Sequence, residues 1–136
     1  RELPGSSTVT FSPPGAYGTL NGQSVFTHGV QIGIERNMRH DLRTETDELI
    51  DALSRDNPRL SRPAEFRTIA FSGRQALQTS LGNISDVTGR EEVIQLITTQ
   101  LRNSDLFFVV TVAPRDELDA YMDTFQRVLG SIRLRD

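Results

Sequence analysis

Leu106-Phe107-Phe108-Val109-Val110-Thr111-Val112-Ala113, closed by Pro114, is the most apolar stretch of the chain and decides how the rest is read. A run without polar alternation has no side to turn to water, so it predicts a strand at the middle of a sheet, buried on both faces. Pro114 ends it, because proline has no N–H to give to a ladder. Downstream, Arg115-Asp116-Glu117 puts acids at the positive end of a helix dipole. Leu118, Tyr121, Met122, Phe125, Val128 and Leu129 then recur at helical spacing as a buried stripe, a core pattern and not a ligand box. Gly130 supplies a residue for the left-handed helix end, and Ser131 to Leu134 is expected to return as a short final strand.

Upstream, Glu91 to Leu101 partly satisfies both the helical and the strand period. The β-branched Val93, Ile94, Ile97, Thr98 and Thr99 lose side-chain freedom in a helix, so a strand is expected. Asn83 to Gly89 reads as a polar connection. Phe66 to Phe71 and Gln75 to Leu81 read as a hairpin around Ser72-Gly73-Arg74. Before it, Leu42, Thr46, Leu49, Ile50 and Leu53 form one helical stripe, while Arg43, Glu45, Glu48, Asp51 and Arg55 are expected to point outward. Asp41, or Thr44 with Asp47, can cap this helix, and Asn57-Pro58 ends it. Gly29 to Glu35 places Val30, Ile32 and Ile34 at period two, a half-buried strand. Further back, Thr8 to Ser12 alternates and is stopped by Pro13-Pro14-Gly15. Asn21-Gly22 then joins Ala16 to Leu20 and Ser24 to Thr27 as a hairpin. Together these predict a single α+β domain over 1–136, a curved antiparallel sheet with two helices packed on one face.

Composition narrows the function. With 136 residues, 36% hydrophobic and 24% charged, the chain can bury a core without staples. A net charge of -3 and a pI near 5.4 offer no broad basic field, so nucleic acid is not an expected partner. No apolar run approaches the roughly 18 to 20 residues of a spanning helix, so no transmembrane segment is expected. Without cysteine there are no thiolate metal sites, disulfides or thiol nucleophiles, and without lysine no Schiff base.

Motifs for chemistry are equally sparse. The two histidines, His28 and His40, do not form a His-Glu-x-x-His pair, and no Gly-x-Ser-x-Gly elbow is present. Gly15-Ala16-Tyr17-Gly18 precedes strands and reads as turn material, not a phosphate cradle. Glu91-Glu92 reads as a solvated strand start and Asp116-Glu117 as a dipole complement. Arg59, Arg62, Arg67 and Arg74 are either a solvated face or a local positive face for an acidic partner. Tyr17, in a Pro/Gly loop near Phe11 and Phe26, is the other candidate for contact with a partner. The expected site set is therefore Tyr17, Arg59, Arg62 and Arg74 for partner binding, with no catalytic, cofactor or metal residues.

Asp47-Glu48-Leu49-Ile50 with Asn57-Pro58, Ser72-Gly73-Arg74, Val110 to Pro114, and Thr124-Phe125-Gln126-Arg127-Val128-Leu129-Gly130-Ser131-Ile132-Arg133 carry a family resemblance. They resemble the C-terminal domain that follows the catalytic domain in some bacterial HtpX- or CAAX-protease-type zinc metallopeptidases, and more broadly the PsbP-like fold. These are packing signatures that cover nearly the whole chain, including Gly29 to Ile34. The resemblance implies a non-catalytic accessory domain that binds a protein partner, a substrate or the catalytic domain of the same chain, in an extracytoplasmic setting. The family's metal-binding helix is missing, so none of its catalytic residues can be carried over. The Pro-x-x-Trp step that usually precedes the domain is missing too, which suggests a boundary at Arg1 within a longer protein. Two other readings stay open: a small-ligand or lipid-binding module with a cavity between sheet and helices, and a hydrolase built around His40 and neighbouring acids.

Overall fold

A computed structural model describes residues 6–11, 17–20, 23–26, 29–61, 65–85 and 88–135, with side-chain surroundings from residue 29 onward. In chain order the elements are β1 (Ser6–Phe11), β2 (Tyr17–Leu20), β3 (Gln23–Phe26), β4 (Gly29–Glu35), α1 (Leu42–Asp56), β5 (Arg67–Phe71), β6 (Arg74–Ile84), β7 (Glu91–Gln100) and β8 (Leu106–Pro114). A 3-10 turn, Arg115–Glu117, leads into α2 (Leu118–Ser131). The fold is α+β. Six strands form one open antiparallel sheet in the order β1-β4-β8-β7-β6-β5, and β2 and β3 pair separately as a hairpin.

Every residue of β8 is buried, as its composition predicts, and it lies between β4 and β7. Its alternate side chains serve two cores. Phe107, Val109 and Ala113 join Val30, Phe71, Ala76 and Ile97 beneath Phe125 of α2. Leu106, Phe108, Val110 and Val112 join Leu81, Ile94 and Leu96 beneath Leu49 and Ile50 of α1. Successive strand residues point to opposite faces, so the two helices lie on opposite faces of the sheet. The expectation of both helices on one face is corrected here. A central strand that is apolar on both sides needs a cover on each.

α1 begins where the sequence predicts, with Asp41 as N-cap accepting a hydrogen bond from the Thr44 amide at 2.9 Å, and ends at Asn57. Hydrogen bonding to the Thr44 side chain first, and then to its amide, holds the Asp41 carboxyl below its ordinary value. Inside the interface, Thr46 Oγ1 lies 2.8 Å from Thr98 Oγ1 of β7, a buried hydroxyl pair that fixes the helix on the sheet.

Several boundaries differ from expectation. β6 runs on to Ile84 through residues read as a connection, because Leu81 and Asn83 still face inward and pair against β7. Ser131 belongs to α2 and residues 132–135 form no strand; instead the Leu134 amide donates to Ser72 Oγ at 2.9 Å. Glu45 is buried, not outward, and Glu92 is buried while Glu91 is exposed. In a strand one of two neighbouring acids must face the core side. Asp116 and Glu117 do not merely complement a dipole, since both pair with Arg90, the last residue of the β6–β7 connection. The Pro13-Pro14-Gly15 stop, the Asn21-Gly22 turn, His28 and Arg62 lie outside the described residues.

Candidate functional site

Three connections converge at one end of the sheet: residues 36–41 between β4 and α1, the Ser72-Gly73 turn between β5 and β6, and residues 101–105 between β7 and β8. The first and the third are tied to each other. The Met38 amide donates to the Ser104 carbonyl at 2.8 Å, and the Asn37 amide donates to Asp105 Oδ1 at 3.0 Å. Ser72 and Gly73 both have positive φ, 50° and 76°, which suits a two-residue hairpin turn.

Between the start of α1, this turn, the end of β7 and Leu134 lies an open groove of about 790 Å³. Arg43, Arg74 and Arg102 line it together with Leu42, Leu77 and Asp41, whose carboxyl is engaged by Thr44 as the helix cap. Arg43 stacks its guanidinium over the Phe66 ring, 4.9 Å from the centroid, and Arg74 Nη1 donates to the Gln100 carbonyl at 3.3 Å. The groove therefore offers oriented cationic groups beside aliphatic surface. That combination suits a polypeptide carrying acids.

A second constellation sits on the first turns of α1. Glu45 Oε1 accepts hydrogen bonds from the backbone amides of Arg39 at 2.7 Å and His40 at 3.0 Å. His40 Nδ1 lies 3.6 Å from that oxygen and 3.5 Å from Glu48 Oε1. Glu35, at the end of β4, is pushed up from its ordinary value by burial first and then by the charges of Glu45 and Glu48. His40, Glu45 and Glu48 hold donor atoms within 4.8 Å of one another, a set that could ligate a divalent cation. The two backbone amides already account for the inward turn of Glu45. For the hydrolase reading, the neighbours of His40 are the carboxylates of Glu45 and Glu48, which can orient an imidazole.

Of the four residues expected to meet a partner, Arg74 lines the groove and Arg59 is exposed just beyond α1. Tyr17 opens β2, its side chain lying outside the described part, and Arg62 lies outside it altogether. Sequence reasoning missed Arg43 and Arg102, which lie on a helix and a loop far from Arg74 in the chain and share a groove with it only in the fold. Arg43 was assigned to the outward face of α1, and that outward face proves to be a groove wall.

No family model matches the chain, and no curated protein matches it. Among solved structures it is similar to PA94 from Pseudomonas aeruginosa, a protein of unknown function with a suggested regulatory role. The TM-score is 0.66 at 10% identity, over 96% of this chain and 85% of that one. At that identity the likeness concerns the fold alone.

Proposed function

We propose that this chain is a non-catalytic interaction domain that binds or positions a polypeptide, either a partner or substrate protein or another part of the same protein. The observation that carries this reading is the groove at the sheet end, where Arg43, Arg74 and Arg102 stand around Leu42 and Leu77. Guanidinium groups pair carboxylates in two-pronged geometry, and aliphatic surface beside them receives side chains of an extended segment. The setting in a zinc-peptidase-like, extracytoplasmic protein rests on the sequence resemblance. A His-Glu-x-x-His helix encoded ahead of Arg1 would support it.

The domain is tested by incubation with a library of fluorescent peptides and, in parallel, with casein. Saturable peptide binding without cleavage is expected. Cleavage of casein by the purified domain, dependent on added zinc, would overturn the non-catalytic reading, and binding to no peptide would overturn the interaction reading.

A further inference from the structure

β5 has no further strand beyond it among the described residues, so one side of the sheet ends in an open ladder. The far half of the neighbouring strand is partly covered, since Ser61 bridges Gly82 by two backbone hydrogen bonds. Among the described residues, the half nearest the Ser72-Gly73 turn pairs with β5 alone on that side.

Register settles which groups face out. Phe71 and Arg74 close the two-residue turn and exchange hydrogen bonds with each other, so Ile69 and Arg67 do the same with Ala76 and Gln78. The N–H and C=O groups of Thr68 and Ala70 therefore point away from β6, into solvent. Both residues are exposed, and a depression of about 500 Å³ runs along Thr68, Ile69, Ala70 and Arg74.

Charge identifies what this edge would accept. The chain carries 18 acids among 136 residues, yet residues 66–85 contain none and hold Arg67 and Arg74. An acidic domain thus has an edge hairpin that is locally cationic, and Arg74 also belongs to the groove beyond the turn. Glu65, exposed at the opposite end of β5, is the nearest acid along the chain. Opposite charges across a strand pair are favourable and like charges are not, so Arg67 and Arg74 discriminate against a cationic strand and favour one carrying carboxylates.

We infer that an extended acidic peptide adds to β5 as a seventh strand, hydrogen-bonding to Thr68 and Ala70 while its carboxylates meet Arg67 and Arg74. This rests on the interaction reading above and gives that partner a chemistry and a place.

The test uses the whole domain, labelled for amide NMR, and three seven-residue peptides. One alternates valine and glutamate, one alternates valine and lysine, and the third is the glutamate peptide N-methylated along one edge. The glutamate peptide should slow exchange of the Thr68 and Ala70 amides at least tenfold, and the lysine and N-methyl peptides should bind at least tenfold more weakly. In the double variant Arg67→Glu with Arg74→Glu the charge preference should reverse. Ala70→Pro, which removes an outward N–H and no ladder bond, should abolish binding. If that variant misfolds, the N-methyl peptide still decides the matter from the ligand side. Equal binding of all three peptides, or binding that leaves Thr68 and Ala70 unprotected, overturns the edge proposal and leaves the interaction reading standing. Failure of every library peptide to bind removes both.

Discussion

Glu92 is 5% exposed and Asn83, directly opposite on β6, is 6% exposed. Asn83 Nδ2 donates to Glu92 Oε1 at 2.8 Å, while Asn83 Oδ1 is buried without a partner among the described residues. Burial pushes the Glu92 carboxyl up from its ordinary value, and the Asn83 bond opposes this only in part. A neutral carboxyl has a proton to offer the orphan oxygen, closing an acid–amide pair. Because the folded value is raised, the stabilising contribution is full below the unfolded value near 4.5 and is lost as pH rises through the folded one. Glu92→Gln keeps the pairing without the titration. Its urea midpoint should match the parent near pH 4 and lie above it at pH 8, where the parent's buried carboxylate is charged. Glu45 behaves differently: Glu45→Ala leaves the Arg39 and His40 amides without their acceptor. It should cost about 1–3 kcal/mol in thermal or urea melts, whereas exposed Glu48→Ala should change stability by no more than about 0.5 kcal/mol. The Asp41 cap was legible in the sequence because capping is local. Neither Glu45 nor Glu92 was, because the partners that turn them inward are set by where a loop and a strand pass.

Among the elements, β4 shows what spacing conveys and what it conceals. Its period-two apolar face is plain in Val30, Ile32 and Ile34, but nothing nearby explains Gly33. The reason lies across the ladder, where Gly33 pairs with Phe108 and the ring of that residue covers it. A Cβ at Gly33 would stand 2.8 and 2.9 Å from Phe108 Cε1 and Cε2. Gly33→Ala should therefore cost about 1–3 kcal/mol in denaturant unfolding, and Phe108→Leu in the same chain should recover part of the loss. The expected final strand fails for a related reason. The sheet edges are β1 and β5, and Leu134 is bound by Ser72, so the tail joins the turn and not the ladder.

Across the whole molecule, the antiparallel sheet and both helices were legible because each carries its own period. The placement of the helices was legible only in β8, whose two apolar faces call for two covers. Those covers are unequal. α1 buries Glu45, Thr46, Leu49 and Ile50, whereas α2 buries Phe125 alone. Phe125→Ala should cost about 3–5 kcal/mol and loosen α2 first. Even in the parent, amide exchange should be faster along α2 than along α1. The groove, lined by Arg43, Arg74 and Arg102, was the least legible feature, since no local pattern links arginines on a helix, a strand and a loop.

The strand order also bears on how the molecule is made. About seventy residues separate β4 from β8, the strand that flanks it toward the sheet centre. Until β8 leaves the ribosome, β4 can pair only with β1, and a lone two-stranded ribbon is barely stable in water. The strands ahead of α1 are therefore synthesised long before they can be locked in place, and the sheet closes only once β8 has emerged. Ribosome-stalled chains ending at Asp105 should lose β4 to brief protease treatment, while chains carried through α2 and clear of the exit tunnel should resist it.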